Sequence, residues 1–154
     1  MPKKKKRDIT LFIVDIFVAI TKIEEYIEPF NNEDDLRHSS LHWDATIRQL
    51  EVIGEALNNL LEDEYFTSIS PRYFRKIVNF RNVIAHGYFG IDTEEVWDVL
   101  TTKLILLDND LEKIVKNSTI DLKYAIETTR DEYIVLDDKT IVNYLKTLLG
   151  KNEI

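Results

Sequence analysis

Apolar positions recur at helical spacing along most of the chain. The run "LFIVDIFVAI" continues into "TKIEEYIE" and stops at Pro29, which predicts a first helix from about Asp8 to Glu28. The loop "FNNEDDLRHSS" leads to a second, about Leu41 to Glu64. There Ile47, Leu50, Gly54, Leu57 and Leu61 share one face, widened by Ile53, Ala56 and Leu60. Gly54 in mid-helix costs about 1 kcal/mol relative to Ala, which implies close approach by another backbone.

A third helix is expected to open with Ser70 as N-cap and Pro71 at its first position. Its stripe is Phe74, Ile77, Phe80 or Val78, and Ile84. Gly87, able to turn left-handed, should end it at His86. Asp92 can cap a fourth, with Glu95 completing a capping box, and Val96, Trp97, Leu100, Leu104, Leu107, Leu111 and Ile114 carry it to about Lys116. In the tail, Leu122, Ile126 and Thr129 mark one short helix, and Ile141, Tyr144, Leu145 and Leu148 another. "YIVLDD" between them is expected to be extended. The pattern is that of an all-α protein, a four-helix up-and-down-like bundle with a short C-terminal helical extension. It divides into a basic arm (residues 1–7), a helical domain (8–117) and the extension (118–154).

Composition agrees with this picture. A chain of 154 residues fits one domain with a real core, and four Gly with three Pro favour long helices over a turn-rich sheet. The absence of cysteine excludes disulfides and thiolate chemistry. The longest apolar run is too short for a bilayer and contains Asp15. "MPKKKKR" ahead of it superficially resembles the start of a leader peptide, but no small-residue cleavage site follows and the helical spacing continues. A core helix of a cytoplasmic protein is the expectation, with Lys3–Arg7 as a solvated arm.

Charge changes the picture locally. The net charge of −8 argues against indiscriminate nucleic-acid binding. Yet residues 70–90 hold Arg72, Arg75, Lys76 and Arg81 and no acid, whereas residues 1–69 and 91–154 each sum to −6. A local anion site or a solvated helix face would each account for this.

The same segment contains "FRNVIAHGYFG", Phe80 to Gly90. Asn82 and His86 are four apart and share a helix face, with Arg81 one residue off it and about 7.5 Å from His86 along the axis. His86 at a helix C-terminus sits where the backbone dipole favours the protonated imidazole. Together Arg81, Asn82, His86 and Tyr88 offer a proton-transfer group, a cation able to fork onto phosphate, an orienting amide and a phenol. RNA cleavage without a metal needs that inventory: a 2′-hydroxyl loses a proton, the leaving 5′-oxygen gains one, and charge builds on the phosphoryl oxygens. One histidine cannot easily serve both sides of the phosphorus, but a two-fold dimer could supply a second His86 and Arg81.

At these residues the sequence resembles the HepT-like proteins of the HEPN superfamily, whose pattern is Arg, a polar residue, a short spacer, His, any residue, Tyr. "DATIRQLEVIGEA" (Asp44 to Ala56) is similar to that family's second helix, and "GYFGIDTEEVWDVL" (Gly87 to Leu100) to the segment after its motif. The likeness spans roughly Asp8 to Lys116. It departs in a longer loop between the first two helices and in residues 118–154, a tail that could cover the cleft or remodel the dimer.

The resemblance implies a homodimeric, metal-independent endoribonuclease, the toxin of a toxin–antitoxin pair that needs no cofactor of its own. In that reading His86 exchanges protons, Arg81 stabilises the transition state and Asn82 orients the RNA. Its implied partner is an MntA-type nucleotidyltransferase antitoxin that uses ATP to transfer AMP to Tyr88. The rival is a non-catalytic helical partner of a nucleotidyltransferase that binds and presents nucleotide or RNA without cutting it. Glu55, Arg75 and Lys76 form a second tier of site candidates, with Glu55 more readily a buried partner for an arginine. His38 and His42, four apart with Asp34, Asp35 and Asp44 nearby, resemble a paired-imidazole metal site but lack a third ligand at a dependable spacing; no metal is expected. Trp43 and Trp97 are expected as core or interface anchors.

Overall fold

A computed structural model describes residues 7–85 and 91–152. Among these residues every regular element is a helix. In chain order they are α1 (Ile9–Ile27), α2 (Glu33–His38), α3 (Ser40–Leu60), α4 (Glu64–Ile69), α5 (Phe74–Ala85), α6 (Thr93–Asp98), a π segment (Val99–Lys103), α7 (Leu104–Lys116), α8 (Lys123–Val135) and α9 (Lys139–Asn152). The all-α class holds, with α1, α3, α5 and the α6–π–α7 rod as the four main helices. None of the described helices is long and apolar enough to cross a membrane.

The caps explain most boundaries. Asp8 accepts from the backbone N–H of Thr10 at 2.9 Å and starts α1. Asp92 accepts from the N–H groups of Glu94 and Glu95 and starts α6. Two short helices lie where the apolar pattern gives little signal. Asn32 caps α2 through Asp35 N–H, and Asp63 caps α4 through Phe66 N–H. The expected second helix therefore ends at Leu60; Leu61 to Asp63 form the turn after it, and Glu64 opens α4. Each short helix buries one large side chain, Leu36 and Phe66, both fully enclosed. "YIVLDD" is not extended. Tyr133 to Val135 complete α8, and Asp137 turns the chain into α9 with φ 55, the left-handed conformation that Asp tolerates better than most residues.

α1 lies at the centre. Ile16, Phe17, Val18, Ala19 and Ile20 are five consecutive buried residues, so this helix is covered on more than one face. α3 and α7 pack on it, and so do α8 and α9. The C-terminal extension thus forms a helical hairpin against α1. In the α6–π–α7 rod, Val96, Leu100 and Leu104 recur every four residues, which on an α-helix drifts about 40° per step. The wider π turn takes up that drift, and all three remain buried with Leu107 and Leu111. At the other end, Arg7 is exposed and reaches back along α1. It pairs with Asp15 and lies 4.8 Å over the Phe12 ring; residues 1–6 lie outside the described part.

Candidate functional site

α5 presents the motif, and its start is built by tight turns. Phe74, Arg75 and Lys76 N–H groups donate to the carbonyls three residues back, at Pro71, Arg72 and Tyr73. Ser70 is not the N-cap: it closes α4, its hydroxyl donating to Phe66 O at 2.5 Å. Once wound, α5 buries Phe74, Ile77, Val78 and Ile84, with Phe74 stacked 6.2 Å from Phe66. Tyr73 donates to Asp110 and ties the start of α5 to α7. Burial, then the Asp110 carboxylate, holds its phenol above the ordinary range.

Arg81 turns towards α3, where it meets Gly54. A Cβ on Gly54 would overlap the Cβ and Cγ of Arg81, so the expected close approach is made by the arginine's stem. The Arg81 Nε is buried without a hydrogen-bond partner, and Nη1 donates to Asn82 Oδ1 at 3.1 Å. No carboxylate pairs with this guanidinium among the described residues. The cation is therefore held by shape and by a neighbouring amide, which leaves its charge for an anion. An orphaned buried donor of this kind costs stability, and a bound anion or water is the ordinary compensation.

Asn82 is exposed. With its carbonyl oxygen engaged by Arg81, its two N–H donors remain to orient a ligand. His86 and Tyr88 lie outside the described residues, so the structure joins Arg81 to Asn82 only. Arg75 and Lys76 are exposed on α5. Glu55 is not a buried partner: it is exposed, in no ion pair among the described residues, and contributes only its backbone carbonyl to Asn59. The reason is its register, one residue round α3 from the Gly54 face.

The paired imidazoles are separated by the break between α2 and α3. His38 Nδ1 bonds to Asp34 O at 2.6 Å, whereas His42 Nδ1 meets Ser39 Oγ at 2.7 Å and its ring packs edge-on to Phe30. Both serve helix ends through Nδ1. Trp43 and Trp97 are half-buried against the core. A recess of about 610 Å³ lies among Phe17, Glu112, Lys116, Leu122 and Lys151, and neither Arg81 nor Asn82 lines it. Sequence reasoning missed the seat that Gly54 gives Arg81, although a glycine in mid-helix was its signal.

The fold is that of an all-helical protein, and one helix face presents a sterically seated arginine beside an amide, with no carboxylate partner among the described residues. Residues 16–117 match the family model described as "Ribonuclease HepT-like", and the chain belongs to that family. Among curated relatives, "Putative RNase MJ0127" of Methanocaldococcus jannaschii is 33% identical over 76% of this chain and 93% of its own. "Probable ribonuclease HepT" of Thermococcus cleftensis is 33% identical over 72% of this chain and 99% of its own. No solved structure matches the chain. The family match ends at the last turn before the α8–α9 hairpin.

Proposed function

We propose that this protein is a metal-independent endoribonuclease, the toxin of a toxin–antitoxin pair, acting as a homodimer. What supports the reading is one observation above the others. Arg81 opens the motif in a chain of a ribonuclease-named family and carries a guanidinium that no carboxylate neutralises among the described residues. His86 takes the proton of a 2′-hydroxyl, whose oxygen attacks the adjacent phosphorus. The P–O5′ bond breaks, and the leaving oxygen takes a proton from the second subunit's acid, leaving a 2′,3′-cyclic phosphate and a 5′-hydroxyl. Arg81 meets the charge that grows on the phosphoryl oxygens, and Asn82 orients the strand.

Regulation follows from Tyr88. Its phenol attacks the α-phosphorus of ATP held by a nucleotidyltransferase antitoxin, pyrophosphate leaves, and the added adenylate sets negative charge beside Arg81. Cleavage of single-stranded RNA should persist with excess chelator and stop at a linkage lacking the 2′-hydroxyl. His86→Ala should lower the rate by about 10²–10⁴-fold, and Arg81→Ala by about 10²–10³-fold. Intact RNA after incubation with folded protein would instead favour a non-catalytic partner of the nucleotidyltransferase. In a parallel incubation with antitoxin and ATP, adenylate mass should appear on the Tyr88 peptide and vanish in Tyr88→Phe. Mass found on another peptide would remove Tyr88 from that role.

A further inference from the structure

The chain has seven arginines, and their partners divide sharply by position. The four outside residues 70–90 each pair with a carboxylate: Arg7 with Asp15, Arg37 with Asp34, Arg48 with Glu51, Arg130 with Asp131. The three inside, Arg72, Arg75 and Arg81, pair with none among the described residues, and neither does Lys76. The four pairs are made with acids one to eight positions away, and no Asp or Glu occurs between Glu64 and Asp92, so this segment is left without local neutralisation in a chain of 28 acidic residues. Arg72, Arg75, Lys76, Asn79 and Asn82 are all exposed. From Arg72, in the turn before α5, they recur at steps of three and four along its solvent face, a stripe that ends at Asn82, whose Oδ1 accepts from Arg81 Nη1 while the Arg81 stem lies on the opposite, α3-facing side. From Arg75 to Asn82 the stripe runs about 10.5 Å.

We infer that this stripe is a phosphate track along which single-stranded RNA approaches the Arg81–Asn82 site, with Arg72, Arg75 and Lys76 holding the backbone. The inference rests on the ribonuclease reading and adds the path of the substrate to it. Unpaired cations on an acidic body attract a polyanion to one strip while the remaining surface repels it. The order of groups fits: full charges lie far from Arg81, and neutral amides, Asn79 and Asn82, lie near it. The stripe carries no exposed aromatic side chain on which a base could stack, so it positions the strand and does not read its sequence.

The test uses the full chain with Arg72→Gln, Arg75→Gln and Lys76→Gln combined. A control neutralises three exposed lysines of the C-terminal hairpin, Lys123→Gln, Lys139→Gln and Lys146→Gln, at the same change in net charge. Binding of a fluorescent 20-nucleotide RNA is followed by anisotropy from 50 to 200 mM salt. Each lost phosphate contact should flatten the slope of log K against log salt by about 0.7, so three flatten it by about 2. The affinity advantage of wild type over the stripe variant should then shrink about 20-fold across that range. Restoring charge as three lysines should restore the slope, because the term depends on charge and not on the guanidinium fork. In cleavage, the preference for the 20-mer over a dinucleotide should fall at least about tenfold in the stripe variant and hold in the control.

Equal losses in stripe and control variants, or a stripe variant with unchanged slope, would overturn the track. An antitoxin that loses affinity for the stripe variant while RNA binding stays intact would likewise overturn it, marking a protein-docking face. RNA that binds through the stripe but is never cut would leave the track standing and refute the nuclease reading.

Discussion

At Gly54 the missing Cβ leaves room for the stem of Arg81, and the two positions constrain one another. Gly54→Ala gains about 1 kcal/mol of helix propensity. It also forces atoms next to the α5 backbone to move, and overpacking of that kind costs about 1–3 kcal/mol. Because the displaced atoms are the rooted Cβ and Cγ, overpacking should prevail. Urea denaturation should show a net loss of up to about 2 kcal/mol, and RNA cleavage measured well below the melting temperature should fall as the guanidinium is displaced. A variant as stable and active as wild type would mean that the seat is not needed. A second residue carries a cost without a visible return. Thr46 is fully buried in α3 and its hydroxyl has no partner. Thr46→Val keeps the shape and removes the unsatisfied donor, so it should raise stability by about 1 kcal/mol in the same denaturation experiment.

Between elements, the seam of α1, α7 and α9 concentrates acids. Asp108 is pushed up to about 6 by burial, then by the charges of Glu112 and Glu24, with Lys151 opposing. Burial also raises Glu24, and it holds the Tyr144 phenol above its ordinary value although Thr21 bonds to it. For Asp108 the sign is clear. The folded chain holds this proton more tightly than the unfolded chain, whose carboxyl titrates near about 3.9. Stability from this group therefore declines as pH rises from about 4 to about 6, and the full penalty is present at neutral pH. Asp108→Asn should stabilise the protein at pH 7 by about 1 kcal/mol, a figure reduced for solvent screening of a half-exposed group. Near pH 4 it should change little. Urea midpoints at the two pH values check this, and an equal shift at both would show that ionisation of the buried Asp108 carboxyl is not the cause.

Over the whole molecule, α1 is the helix that most needs company. Five consecutive buried residues cannot be covered by α3 and α7 alone, and α8 and α9 supply the remaining wall. Removing residues 118–154 should therefore lower the melting temperature and expose apolar surface that binds a hydrophobic dye. An unchanged melting temperature would make the hairpin an independent appendage. Packed on α1, the hairpin is a structural part of the bundle, and this gives a role to the segment that follows the family match.

The amino-acid sequence by itself determined the long helices, their buried stripes and the residues that share a face, because helical periodicity and caps such as Asp8 and Asp92 act within a few positions. It also placed Arg81 and Asn82 in one motif on a cationic segment. Short elements escaped it: α2 and α4 each rest on one buried side chain, too few for a period to register. Which helix meets which was decided by tertiary packing alone. That packing set the Arg81 stem on Gly54, left Glu55 in solvent, made Ser70 an end and not a beginning, and folded the tail onto α1. The physical reason is that periodicity fixes directions around one helix axis, whereas the distance between two axes depends on side chains far apart in the chain.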